Sequence, residues 1–291
     1  MPLRLLVFGR TGQVGSALAA MNGPDLQVDA VDRARADLCD PETCTRVVQE
    51  TSADVVVNAA AFTTVDAAET DDATAMAVNA RAPGAIAEAA RRRGLPIIHL
   101  STDYVFPGNG KTPWRETDLA APINVYGATK RLGEQAVMGA HGGAVILRTS
   151  WVFSASGTNF VRTMLRVAEE RDSLKVVNDQ IGCPTAAGDI ADAIVWIARS
   201  LTVQAGVPGI FHFCGAPSVT WHGFAQAIFA RSQAVNPTLV PIRTAEWPAP
   251  AQRPRYSVLD CGLIRRTYGI RQPDWRRALG DVVADLSTEA A

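Results

Sequence analysis

Leu5-Leu6-Val7-Phe8 runs directly into Gly9-Arg10-Thr11-Gly12-Gln13-Val14-Gly15 and then into the helix-prone stretch Ser16-Ala17-Leu18-Ala19-Ala20-Met21. The first run is short, continuous and apolar, as a strand buried on both faces of a parallel sheet should be. Strand, glycine turn and helix in that order constrain the fold strongly. Gly9 permits a tight turn, Gly12 lets backbone N–H groups approach a pyrophosphate, and Gly15 lets helix and strand pack closely. The spacing is G-x-x-G-x-x-G rather than G-x-G-x-x-G, and a plain turn could use the same glycines. The flanking strand and helix favour the dinucleotide reading, with Thr11, Gln13 and Val14 in the loop around the phosphates.

The rest of the first half repeats the alternation. A second strand, Leu26 to Val31, ends at Asp32, about twenty residues past the glycines, where a carboxylate would meet the adenosine ribose. Arg33 and Arg35 follow and could instead receive a 2′-phosphate, so NADH and NADPH both remain open. Asp37 and Leu38 come next, beside the expected adenine. Asp40-Pro41-Glu42 opens a helix to Glu50, with Asp40 as its cap and Pro41 at its first position. Asp54 to Asn58 reads as the third strand, and it gives way to Ala59-Ala60-Ala61-Phe62-Thr63. The three alanines, with side chains no larger than methyl, suit a surface on which a cofactor lies close, although a tight turn or close helix packing would select them too.

Residues 72–93 form an alanine-rich helix that Pro83-Gly84 should kink or break. Arg91-Arg92-Arg93-Gly94 is explained by helix termination, with cations in the last turn and glycine past it. Pro96 to Leu100 is a fourth strand, with His99 a packed core residue. A long loop at 111–125 leads to a helix from Tyr126 to Met138, and Ala144 to Leu147 is a fifth strand. Five alternations imply an α/β fold with a Rossmann-like, doubly wound parallel sheet.

From Asn159 the pattern loosens into helices at 159–171, 188–200, 221–231 and 274–286, strands at Leu174 to Val177 and Ile210 to Phe213, and a proline-rich loop from Pro241 to Arg255. The expected division is an NAD(P)-binding domain over 1–155 and a smaller, mainly substrate-binding α/β region over 156–291, packed together.

Across all 291 residues, 28 basic and 29 acidic side chains leave a formal charge of −1, which gives no global case for nucleic acid or an anionic membrane. No segment approaches the roughly 20 apolar residues of a membrane span. The apolar start is read as a first strand rather than a signal peptide. The five cysteines, Cys39, Cys44, Cys183, Cys214 and Cys261, are scattered and odd in number, as free thiols of a reducing cytoplasm would be.

The chemistry is expected at Ser101-Thr102-Asp103-Tyr104-Val105-Phe106 together with Tyr126-Gly127-Ala128-Thr129-Lys130. The first segment leaves the carboxyl end of a strand. In the second, Tyr126 and Lys130 are separated by roughly 6 Å of rise and about 40° of rotation, and so share one helix face. A phenol beside an ammonium can give a proton, although Y-x-x-x-K also occurs by chance in many helices.

Taken together, these motifs resemble the extended short-chain dehydrogenase/reductases, and within them the dTDP-4-dehydrorhamnose reductase family. The more specific stretches are the Ser101 to Asn109 run, Arg148-Thr149-Ser150-Trp151-Val152, Val177-Asn178-Asp179-Gln180 and Ala251-Gln252-Arg253-Pro254. The resemblance implies that a nicotinamide delivers hydride to the 4-keto carbon of a dTDP-sugar while Tyr126 protonates its oxygen. Lys130 would lower the phenol pKa and hold the nicotinamide ribose, and Thr102 would hydrogen-bond the reacting oxygen or the phenol. Asp103 and Trp151 would contact the sugar nucleotide, with Arg253 at its diphosphate. Some family members carry a histidine where this chain has Phe62, so a polar cofactor contact is lost there. Some hold magnesium between subunits through a glutamate early in the first helix, where this chain has Ser16-Ala17-Leu18. No metal site is therefore expected, and a homodimer is left open. The alternatives are a reductase or epimerase of another 4-keto nucleotide sugar, or a non-catalytic dinucleotide-binding regulatory subunit.

Overall fold

Strand β1, Leu3–Phe8, sends Leu5 and Val7 to one layer and Leu6 and Phe8 to the other, and all four are buried. The computed structural model in which this is seen describes residues 1–232 and 236–289. β2 is Leu26–Val31, β3 Val55–Asn58, β4 Ile97–Thr102 and β5 Val145–Thr149. The same alternation recurs in β3, where Val55 and Val57 face one layer and Val56 the other, and in β5, where Ile146 opposes Val145 and Leu147. A period of two with both faces apolar is what a sheet covered by helices on both sides requires.

The strand order is Gly209–His212, β5, β4, β3, β1, β2, and every pairing in this sheet is parallel. The winding reverses between β1 and β3, so the carboxyl ends of those strands frame the crevice where such folds bind ligands. Helix α1, Gln13–Ala20, packs with the helix Ala187–Thr202 on one face. Helix α2, Pro41–Glu50, packs with Ala82–Arg92, which packs in turn with Val125–Ala140, on the other. Asp40 caps α2 by accepting from the Glu42 N–H at 3.0 Å.

Two expectations need adjusting. The sixth strand and the helix Ala187–Thr202 come from the later region but complete the layers around the sheet, so a boundary at 155 cuts through the sheet rather than separating two units. Near Pro83 the helix does not end. It passes through a π-helical turn, Ala77–Arg81, immediately before the segment Ala82–Arg92. Pro83 has no N–H to give to the carbonyl of Asn79, and one wide turn absorbs the missing bond.

The later segments form a second cluster. Phe153, Val161, Phe224, Ile228, Trp275, Leu279 and Val283 make its core, joined by the parallel strand pair Ser173–Val177 and Thr238–Ile242. The helix Gly262–Tyr268 was not foreseen, being only seven residues long.

Candidate active site

The glycine turn shows why side chains are excluded from it. Gly9 has φ +98°, and a Cβ there would sit 2.8 Å from the Ala60 nitrogen, while a Cβ on Gly15 would sit 2.0 Å from the Gly9 oxygen. Gly9 thus brings β1 against the alanine run after β3, and Gly15 brings α1 against the turn. Gly12 caps α1 in extended conformation with no side chain, its N–H going to the Gly9 oxygen at 2.9 Å. The first-turn N–H groups of Gln13, Val14 and Gly15 have no intrahelical acceptors, and the helix end is positive. This cradle, bare at Gly9, Gly12 and Gly15, fits a dinucleotide pyrophosphate.

The other predicted cofactor residues gather at the same edge. Asp32 accepts from the Ala34 and Arg35 N–H groups at 3.1 and 3.2 Å, which shapes the turn after β2. Arg33 pairs with Asp37, and Arg35 pairs with Asp29, so both arginines already hold carboxylates. Leu38 is buried in the layer on the α2 side. Ala60 donates to Asn58 Oδ1 at 3.2 Å, Ala61 is half-buried, and Thr63 is exposed. Phe62 has its N–H and C=O both taken by the Asn79 side chain, at 2.8 and 3.1 Å. The residue in place of histidine is therefore held by its backbone. Gln13 is bonded to the Val152 carbonyl and the Ser154 hydroxyl, joining the glycine turn to the second cluster; Thr11 is exposed.

Thr102 ends β4, and Tyr126 and Lys130 lie one turn apart on the helix Val125–Ala140, which packs against that strand. Asn124 caps the Val125–Ala140 helix through the Gly127 N–H at 2.7 Å and donates to the Gln252 carbonyl at 2.8 Å. Gly127 lets this helix approach the turn after β4, for a Cβ there would lie 2.2 Å from the Tyr104 oxygen. Tyr126 then meets Tyr104 edge to face, with centroids 5.7 Å apart. Burial pushes the Tyr126 phenol up to about 12, and hydrogen bonding to Thr102 works against that rise. Lys130 is buried, and its ammonium donates to the Leu100 carbonyl at 2.7 Å. Burial pulls it down to about 8, against the attraction of Glu134. Burial is thus the largest influence on the Tyr126 phenol, and Leu100 takes one of the three N–H donors of Lys130.

Beneath this pair lies a charged network that sequence reasoning missed. Glu134 accepts from Arg148 at 2.7 and 2.7 Å, from Ser101 at 2.6 Å and from Arg131 at 2.8 Å. Burial alone would raise this carboxyl, yet Arg148, Ser101 and Arg131 hold it below the usual range. Removing one partner of such a buried pair costs about 3–5 kcal/mol, since it strands the other charge. A charged residue inside the apolar strand Val145–Thr149 was the available signal.

The expected substrate residues differ in presentation. Asp103 is 2% exposed, and its Oδ1 accepts from the Thr102 hydroxyl at 3.0 Å. Burial pushes its carboxyl up to about 7, opposed by the Ser257 and Thr102 hydroxyls. Arg253 grips Asp66 with two bonds of 2.8 and 2.7 Å, so its charge is already compensated. Trp151 has φ 46°, unusual for a bulky residue. Its indole stacks on Trp221 with centroids 3.4 Å apart and lies where a Cβ on Gly182 would be, 2.3 Å from a ring atom.

A Rossmann-type sheet with a glycine cradle, and with threonine, tyrosine and lysine gathered at its carboxyl edge, defines the class: an NAD(P)-dependent oxidoreductase of the extended short-chain dehydrogenase/reductase type. Residues 3–288 match the family model of the RmlD substrate binding domain, and the chain belongs to that family. It is 46% identical to the dTDP-4-dehydrorhamnose reductase of Burkholderia thailandensis, over 99% of this chain and 100% of that protein. It is 41% identical to a probable dTDP-4,6-dihydroxy-2-methyloxan-3-one 4-ketoreductase of Streptomyces antibioticus, over 98% and 96%. Its fold superposes on the crystal structure of dTDP-4-dehydrorhamnose reductase from Bacillus anthracis in complex with NADP, with a TM-score of 0.91 at 32% identity, covering 98% of this chain and 100% of that one. No helix among the described residues is long and apolar enough to cross a membrane.

Proposed function

We propose that this chain reduces the 4-keto group of dTDP-6-deoxy-L-lyxo-4-hexulose to give dTDP-L-rhamnose, using NADPH or NADH. The observation that carries the reading is the packing of the helix with Tyr126 and Lys130 against β4, which ends at Thr102, in a chain that matches such reductases over nearly their whole length. When bound, the reduced nicotinamide supplies a hydride. The chain's own residues do the rest. The turn from Gly9 to Gly15 holds the pyrophosphate, and the turn from Asp32 to Leu38 holds the adenosine end. Ala60 to Thr63 line the floor of the crevice, with Lys130 at the nicotinamide ribose. Tyr126 gives its phenolic proton to the carbonyl oxygen, and Thr102 fixes the phenol's orientation. Trp151 contacts the sugar nucleotide, and Arg253, held by Asp66, lies toward its diphosphate.

The Streptomyces relative favours a second reading, reduction of a different dTDP-4-keto sugar by the same site. A panel of dTDP-4-keto sugars, assayed for nicotinamide oxidation with NADPH and NADH, decides between them. Preference for the L-lyxo substrate supports the first reading; turnover of another 4-keto sugar alone replaces it. Cofactor consumption by none of them overturns both.

A further inference from the structure

The face of β4 and β5 that meets the α2 layer begins apolar, with Ile97 and Ile146, and turns polar toward the carboxyl end. Ser101 follows Ile97 and Arg148 follows Ile146 at even spacing, so alternation sends both side chains to that face. The two are register partners, and Arg148 is paired in turn with His212 on the sixth strand. A row of three buried polar side chains thus crosses the sheet one residue before Thr102.

Glu134 reaches onto that row from the helix Val125–Ala140, on the face that carries Tyr126 and Lys130. Its carboxylate accepts from the Ser101 hydroxyl at 2.6 Å and from Arg148 at 2.7 Å on each oxygen. Lys130 donates to the carbonyl of Leu100, the residue before Ser101. Two successive turns of the helix are therefore fastened to two consecutive residues of β4. We propose that Glu134 is a positioning residue for the reduction: with Ser101 and Arg148 it fixes the register of the helix on β4, and so where Tyr126 and Lys130 stand at the end of that strand.

Lys130 alone would hold the helix at one point and leave it free to turn about that bond. A second fastening ~6 Å further along the axis removes that freedom. Stability explains the ion pair poorly. Moving two charges out of water offsets most of their attraction, and well-packed apolar side chains of similar volume often do as well. A fully satisfied buried network instead specifies a single arrangement. This network is closed at its far end too. His212 Nδ1 lies 3.1 Å from the Trp114 carbonyl, which can only accept, so that nitrogen carries the proton and Nε2 accepts from Arg148 at 3.3 Å. Trp114 stacks on Phe106 with centroids 4.9 Å apart, and the Phe106 centroid is 5.1 Å from the Arg148 guanidinium carbon. The chain between Thr102 and Tyr126 thus rests on Arg148 through Phe106 and on His212 through Trp114.

The inference rests on the carbonyl-reductase reading, and its test separates the two. Wild type, Ser101→Ala and Glu134→Gln are compared. Ser101→Ala removes one fastening and leaves Glu134 its bonds to Arg148 and Arg131, so the protein should fold. Its kcat with the dTDP-4-keto sugar should fall about tenfold or more. KM for the sugar should stay nearly unchanged, as should the affinity and stoichiometry of NADPH binding by fluorescence titration. A merely structural role would instead lower the folded fraction, and the NADPH stoichiometry with it.

Glu134→Gln adds a pH readout. Lys130 is faced by Glu134 on its own helix and by His99 on β4, and Arg148 and Arg131 stand behind Glu134. In wild type kcat/KM should fall as the ammonium is lost at about 8. Without the Glu134 charge that fall should come at lower pH, whereas in Ser101→Ala it should stay in place. Hydrogen exchange needs no turnover: the amides of Val125–Ala140 should exchange faster in Ser101→Ala, with those of β1 unaltered. An unchanged kcat in Ser101→Ala, a kcat loss matched by lost NADPH sites, or an unmoved pH limb in folded Glu134→Gln overturns the positioning role. If Glu134→Gln does not fold, Ser101→Ala decides alone. If wild type turns over none of the 4-keto sugars, the reductase reading falls, and unaltered exchange in Val125–Ala140 would still overturn the fastening.

Discussion

The Lys130 ammonium donates to the main-chain oxygen of Leu100 at 2.7 Å, from a helix face that holds it within the protein. That bond ties the helix carrying Tyr126 to the strand carrying Thr102, so the two halves of the site are joined through the lysine. Burial lowers the Lys130 pKa to about 8, and Glu134 opposes the shift. As pH rises through about 8 the ammonium is lost, and kcat/KM should acquire an alkaline limb there. For stability, a lysine depressed by folding contributes fully above its unfolded value of about 10.4, and the contribution is lost as pH falls through about 8. Lys130→Met should thus lose activity yet gain up to about 3 kcal/mol at pH 7. That gain should shrink toward pH 10, as measured by denaturant unfolding at each pH.

Tyr126→Phe keeps the ring that packs edge to face on Tyr104. It should fold normally and bind cofactor as wild type does, while kcat falls by about 10²–10⁴. Fluorescence titration with NADPH and steady-state kinetics measure the two quantities separately. Normal turnover in the folded variant would remove Tyr126 from the acid role.

The strands and the Tyr126–Lys130 pair were legible because each depends on short-range periodicity. Alternating burial in a covered sheet leaves continuous apolar runs such as Val55–Val57, and a helix turn places residues four apart on one face. What Lys130 would touch was not legible. Its partner is a carbonyl 30 positions away, brought near by helix packing. Asp103 likewise reads as a polar residue leaving a strand, and its burial follows from tertiary packing. The sixth strand was found as a strand, but its seat beside β5 follows from tertiary pairing alone. Arg253 carried the right signal for an anion, and its pairing with Asp66 spans 187 positions.

Two glycines of the same helix separate crowding from flexibility. A Cβ on Gly133 would lie 2.0 Å from the Asn79 main-chain oxygen, whereas Gly139 has nothing within 4 Å. Gly133→Ala should destabilise by about 1–3 kcal/mol or more. Because Asn79 also holds the Phe62 backbone, it should weaken cofactor binding too. Gly139→Ala should stabilise by about 0.5–1 kcal/mol through the unfolded chain. Thermal unfolding with and without NADPH reads both effects. A neutral Gly133→Ala would mean that the two helices can separate freely.

Trp151 and Trp221 stack with an interplanar angle of 5°. Two indoles so arranged should couple and give an excitonic circular-dichroism couplet. Gly182→Ala would drive a methyl group into the Trp151 ring, and Trp221→Leu would remove its platform. Both variants should lose the couplet. Both should raise KM for the dTDP-sugar by about 10-fold, on the order of 1.4 kcal/mol. NADPH affinity should be unaffected, because the cofactor cradle lies at β1 and α1. Loss of the couplet with an unchanged KM would make the stack a packing feature of the second cluster and would take Trp151 out of sugar recognition.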